Sequence, residues 1–216
     1  MRRTWIHAAV IAALVAWAAI ALARSSGAPA ARTGAPAIAS IPAESNCTGC
    51  HGGNALNTNG SVTILDVPAL FRGGRTYRLR VHLASTQTGG ASGRVWGFQM
   101  TAVDTATGLG VGTFALVDAA QTGLVTGTGS FASRTYANQI SGGIRSGAAS
   151  PVEWQVDWTA PATGVTRVRF YAAGFAGDGS GNTSGDWVYT GSAAATDTTT
   201  PAIPVTWGRI KSAYTR

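Results

Sequence analysis

Cys47-Thr48-Gly49-Cys50-His51 is the stretch of this chain whose residue types and spacing could do chemistry. It is a C-x-x-C-H, the pattern of c-type haem attachment. Two thiols three positions apart reach the two vinyl groups on one edge of a haem and form thioethers. The adjacent imidazole then lies beneath the ring and ligates the iron from the proximal side. Cys47 and Cys50 are the only cysteines in the 216 residues, so no other pairing competes for them. The expectation is one haem c, held covalently by Cys47 and Cys50, with His51 as the proximal axial ligand.

Other chemistries use the same residues. A C-x-x-C redox dithiol calls for a βαβ context, which the pattern here does not provide. A zinc site needs a fourth ligand and usually a second C-x-x-C or a His pair. A plain disulfide leaves His51 without a role. Haem is preferred, with a redox disulfide as the alternative. For the sixth iron position the candidates are Met100, His82 and, in the tail, Lys211. Met100 shares a strand face with Trp96 and Phe98, so it reads first as a core methionine filling a gap and only second as a ligand. His82 lies on a polar face with Arg78 and Arg80. Met100 is the expected distal ligand over His82, because a haem buries its apolar faces.

The elements that must position these groups are strands. Twenty-nine glycines and only 12% charged residues fit a loop-rich β protein. Period-2 alternation recurs along the chain. Val62 and Ile64 start it. Tyr77, Leu79, Val81 and Leu83 alternate with Arg78, Arg80 and His82. Trp96, Phe98 and Met100 alternate with Gly97 and Gln99. Val152, Trp154, Val156 and Trp158 alternate with Glu153, Gln155 and Asp157. Val168, Phe170 and Ala172 alternate with Arg167 and Arg169. Weaker strands are expected over 111–117, 122–126 and 131–137. The acidic face of 153–157 and the basic face of 167–169 are expected to form a hairpin across the loop 159–164. The fold class is all-β: an immunoglobulin-like antiparallel β-sandwich over 61–192, preceded by a short haem-binding segment over 46–60.

Around that body lie three further stretches. Residues 1–23 carry Met1-Arg2-Arg3, an apolar run from Ala8 to Ala23 and a small-residue site at Ala21-Leu22-Ala23. They read as a signal peptide, or as an N-terminal anchor if uncleaved. Covalent haem attachment takes place outside the cytoplasm, so signal and motif support one another. Residues 24–45, rich in Ala, Pro, Gly and Ser, read as a flexible linker. Residues 193–216 read as a linker and C-terminal tail. The formal net charge of +7 is scattered rather than clustered with aromatics. It therefore excludes a nucleic-acid groove, and it reads either as a solvated surface that keeps the protein soluble or as one that suits an acidic redox partner. Membrane contact is expected only through an uncleaved N-terminal segment. Asp178-Gly-Ser180-Gly-Asn182-Thr-Ser184-Gly-Asp186 alternates oxygen-bearing with small residues, as a calcium loop does. The preferred reading is a Gly-rich turn whose side chains cap their own backbone.

The order of Gly34-Ala35-Pro36, the C-x-x-C-H, Gly73-Gly74-Arg75-Thr76-Tyr77, Gly97-Phe98-Gln99-Met100, Trp158-Thr-Ala-Pro161, Phe170-Tyr-Ala-Ala-Gly174 and Asn182-Thr-Ser-Gly-Asp186 resembles the bacterial choice-of-anchor V domain. That domain is itself similar to the Reeler domain of animal extracellular proteins. The resemblance spans roughly 34–192. It implies an immunoglobulin-like sandwich, an exported or surface location and an N-terminal haem-type motif, without a defined biochemical role. No hydrolytic constellation stands out: the serines have only His82 to act with and the acids are dispersed. The expected function is that of an exported single-haem cytochrome-like electron carrier rather than an enzyme, periplasmic or at the cell surface. The alternatives are a surface adhesion or ligand-binding module with a structural haem, and a haem-based sensor.

Overall fold

The computed structural model describes residues 26–90 and 93–198. The expected signal peptide over 1–23, Lys211 and the rest of the tail beyond 198 lie outside the described residues. Eleven strands run in chain order: β1 (Gly52–Gly53), β2 (Gly60–Leu65), β3 (Leu70–Phe71), β4 (Thr76–Ser85), β5 (Val95–Asp104), β6 (Thr113–Leu116), β7 (Thr122–Thr126), β8 (Thr135–Gln139), β9 (Val152–Thr159), β10 (Arg167–Gly177) and β11 (Ser184–Asp197). One sheet has the order β1-β11-β10-β5-β8-β7, with β3 also pairing to β11. The other is β2-β4-β9-β6. All pairings are antiparallel except the short additions of β1 and β3 to β11. The fold is an immunoglobulin-like β-sandwich. Among the described residues, no helix is long and apolar enough to cross a membrane.

The alternating segments bury the faces expected of them. Leu79, Val81 and Leu83 of β4 and Trp154, Val156 and Trp158 of β9 meet Trp96, Phe98 and Met100 of β5 and Val168, Phe170 and Ala172 of β10 in one core. The three core tryptophans each place an indole N–H on a carbonyl: Trp96 on Ala148, Trp154 on Gly143 and Trp158 on Val111. A buried indole needs such a partner.

The structure differs from the sequence expectations in three places that matter for the site. Strands β9 and β10 are not a hairpin. They belong to different sheets, and the loop between them crosses the sandwich. The acidic outer face of β9 meets β4 instead: Arg78 donates to Asp157 at 2.9 Å, and Arg80 and His82 both contact Glu153. Charge complementarity is satisfied just as well by the strand that lies beside β9 in space.

The stretch 27–45 is not a loose tether. It lies against the seven-stranded sheet with Thr33, Ala35 and Glu44 buried. Last, β11 continues to Asp197, past the expected end of the sandwich at 192.

Candidate functional site: a cavity on the outer face of the larger sheet

Strand alternation leaves an apolar patch on the outer face of the seven-stranded sheet. Ala173 and Phe175 of β10 and Val188 of β11 point away from the main core and form a second small cluster with Cys47. Gln99 of β5 is fully buried on this face as well. Its amide oxygen accepts the Arg32 backbone N–H at 2.7 Å. Its amide nitrogen donates to the Pro29 carbonyl at 2.9 Å and, more weakly, to that of Ala28. One side chain of the sheet thus holds the strap 28–32 in place.

A buried ionic knot fixes the strap further along. The Glu44 carboxylate accepts from the Arg134 guanidinium, from the Tyr136 hydroxyl at 2.7 Å and from the Thr33 hydroxyl at 2.5 Å. Arg134 also donates twice to the Gly108 carbonyl. Burial and the neighbouring Glu44 carboxylate push the Tyr136 phenol well above its usual range. Every charge in the knot has partners, as burial requires.

The strap delivers the chain to a 3₁₀ turn over Cys47–Gly49. Asn46 caps it, its side-chain oxygen accepting the Thr48 N–H at 2.8 Å. The Cys50 and His51 amides both donate to the Cys47 carbonyl. Within this turn the three side chains differ in exposure. Cys47 is buried, Cys50 is exposed and His51 is half-buried. Gly52 and Gly53 then pair with β11. Gly53 has φ +106, and a Cβ there would lie 2.6 Å from the Gly185 nitrogen, so only glycine permits the approach.

His51 is held on two sides. Its Nδ1 lies 2.5 Å from Asp186 Oδ2, and its ring stacks on Phe175 with centroids 3.9 Å apart and an interplanar angle of 15°. Asp186 is nearly fully buried, and its other oxygen accepts the Asp178 N–H. Nδ1 is therefore committed to the carboxylate, and Nε2 is the nitrogen left for a ligand. The Cys47 thiol is pushed up to about 12, first by burial and then by the Cys50 sulfur beside it. The attacking cysteine of a redox dithiol is shifted the opposite way. Both cysteines are free thiols.

Cys47, Cys50 and His51 line one cavity of about 600 Å³, within the range of about 300–1,000 Å³ for small-molecule and cofactor sites. Val95, Ile144, Phe175, Ala28 and Pro29 supply apolar wall, and Gly179–Thr183 closes one side. In that loop Asp178 accepts the Ser180 N–H at 2.9 Å and Asn182 accepts the Ser184 N–H at 2.7 Å. The side chains cap their own turn, Asp186 serves His51, and 179–183 forms a cavity wall. Among the described residues no three His, Cys, Asp or Glu side chains converge to hold a metal ion. A haem iron asks the protein only for axial ligands.

The residues present fit a haem. The cavity brings two thiols, an oriented imidazole and apolar walls together. One of its lining residues, Arg32, also carries a buried Nε with no partner.

Neither described candidate for the sixth position reaches this cavity. Met100 is fully buried in the sandwich core, one residue from Gln99 and therefore on the opposite face of β5. The expectation that Met100 is the distal ligand is corrected by that alternation. His82 faces outward from the other sheet and bonds Glu153 at 2.8 Å. The sequence singles out Cys47, Cys50 and His51, which line this cavity, but not Asp186, Phe175 and Arg32, which line it too. Asp186 was visible only as the end of a loop motif. Phe175 carried a signal, since a large apolar residue on the wet face of a strand calls for a cover.

No protein-family model matches the chain, and no curated protein matches it. Among solved structures, the human F-spondin reeler domain is 15% identical, covering 68% of this chain and 94% of that one with a TM-score of 0.40. The Reelin-N domain of F-spondin is also 15% identical, over 69% and 93%, at 0.39. A cohesin module from a Clostridium perfringens family 33 glycoside hydrolase is 10% identical, over 65% and 98%, at 0.42. These are likenesses of fold between β-sandwich domains.

Proposed function

We propose that this chain is an exported c-type haem protein of the choice-of-anchor V kind, carrying one haem c and passing electrons to a redox partner protein outside the cytoplasm. The observation that carries the reading is the shared cavity of Cys47, Cys50 and His51, with Asp186 fixed on Nδ1. A bound haem supplies one-electron chemistry at its iron.

The chain's own residues do the rest. Cys47 and Cys50 tether the cofactor from one wall. Asp186 keeps the proton of His51 at Nδ1 and strengthens Nε2 as a donor. Phe175 limits rotation of the imidazole, and the strap 28–32 with Ile144 and Val95 keeps water from the cavity wall. The scattered basic surface favours an acidic partner.

A second reading is favoured by the positions of Met100 and His82. With both turned away, the described cavity walls offer no thioether or second imidazole to the iron. An open sixth position suits a haem-based sensor of small ligands. The ferric and ferrous visible spectra of the exported protein, before and after carbon monoxide, separate the two. A low-spin spectrum indifferent to carbon monoxide supports electron transfer, and a high-spin, carbon monoxide-sensitive one supports sensing.

A further inference from the structure

Among the described residues, Arg32 is the one guanidinium that lines the cavity. Its Nε is buried without a hydrogen-bond partner, and the side chain has no ion pair among the described residues. The backbone around it is tightly specified all the same. Its N–H donates to Gln99, the carbonyls of Ala28 and Pro29 accept from the same side chain, and Thr33 next to it binds Glu44 through both its N–H and its hydroxyl. Leaving a buried donor unsatisfied costs about 1–3 kcal/mol, more for a charged group. Arg145 Nε and Asn138 Oδ1 are also buried without a partner, but neither residue lines the cavity, whereas the fully buried Arg134 guanidinium is compensated by Glu44 and the Gly108 carbonyl.

We infer that Arg32 is the anion anchor of the cavity and binds a carboxylate of the cofactor, which for a haem is a propionate. The inference rests on the haem reading for the identity of the ligand. Its chemistry is that of a largely apolar cavity with, among the described lining residues, one guanidinium on its wall. Such a site takes a flat, largely apolar molecule bearing an acid group, because burial of the apolar part is favourable and the acid group satisfies the orphaned N–H. No bond is made or broken.

The test uses iron-free protoporphyrin IX and its dimethyl ester, titrated by fluorescence into the full chain prepared without haem. The free acid is expected to bind wild type about ten- to a hundredfold more tightly than the ester, the span of one charge-assisted hydrogen bond. Arg32→Gln should abolish that preference and Arg32→Lys should restore part of it. Gln99→Ala, which releases the strap, should also weaken the preference. Equal binding of acid and ester to wild type, no binding of either, or an unchanged preference in Arg32→Gln each overturns the inference. The haem reading fails separately. If the exported wild type carries no covalent haem while the acid preference and its loss in Arg32→Gln are both seen, the anchor stands and the cytochrome reading falls.

Discussion

His51 Nδ1 and Asp186 Oδ2 stand 2.5 Å apart, although 135 residues separate them in the chain. The contact joins the C-x-x-C-H segment to β11 and decides which imidazole nitrogen is free. A carboxylate on the far side of an iron-bound imidazole makes it a stronger donor and stabilises the ferric state. Asp186→Asn should therefore raise the reduction potential of the haem-loaded protein relative to wild type. Protein-film voltammetry reads this directly, and an unchanged potential would show that the contact does not survive haem binding.

The knot beneath the strap should be costly to break. Removing one partner of a buried pair leaves an unpaired charge, at about 3–5 kcal/mol. Glu44→Ala strands the Arg134 guanidinium and the Tyr136 hydroxyl together. The urea midpoint should fall accordingly, and limited proteolysis should open the chain between 27 and 46 before the sandwich unfolds. A strap as protease-resistant as in wild type would mean that Gln99 alone holds it.

Trp158 tests the core. It is fully buried, packs edge-on against Phe71 and Phe170, and donates to the Val111 carbonyl. Trp158→Ala should cost about 3–5 kcal/mol. Chemical denaturation measures it, and an unmoved midpoint would place the ring outside the core.

The two thiols should behave differently in the haem-free protein. Cys50 is exposed, whereas Cys47 is buried with its thiol pushed up to about 12. At neutral pH iodoacetamide should modify Cys50 and spare Cys47 until the chain unfolds. The same shift fixes the sign of a pH effect. An unfolded Cys47 ionises near its ordinary 9.0 while the folded one stays protonated until about 12. Between these values the folded state holds the extra proton, so this stabilising contribution, complete below about 9, is lost as the pH rises through the window. Cys47→Ala should flatten that part of the stability profile. Equal alkylation of both cysteines in the native protein would contradict the buried placement.

Much of this architecture is legible in the alternation of Tyr77 to Leu83, Trp96 to Met100 and Val152 to Trp158, because a period of two dictates which face is buried. The partner of each strand is not legible that way. Asp157 and Glu153 could answer Arg167 and Arg169 or Arg78 and Arg80, and only the three-dimensional path selects the second pair. The C-x-x-C-H motif is local in sequence and can be read directly. Asp186, Phe175 and Arg32 are brought to it by the sheet and the strap, over separations that no local pattern encodes. Met100 misled for the same reason: its apolar neighbours mark the core, and the cavity lies on the other side of its strand.

The central claim is that Cys47 and Cys50 carry a covalent haem. The direct measurement is haem staining of the denatured protein, with a pyridine haemochrome spectrum, after export from cells that contain a cytochrome c maturation system. The account predicts one haem per chain, lost when Cys47→Ala and Cys50→Ala are combined. Exported wild-type protein that is folded yet carries no covalent haem under those conditions would contradict it.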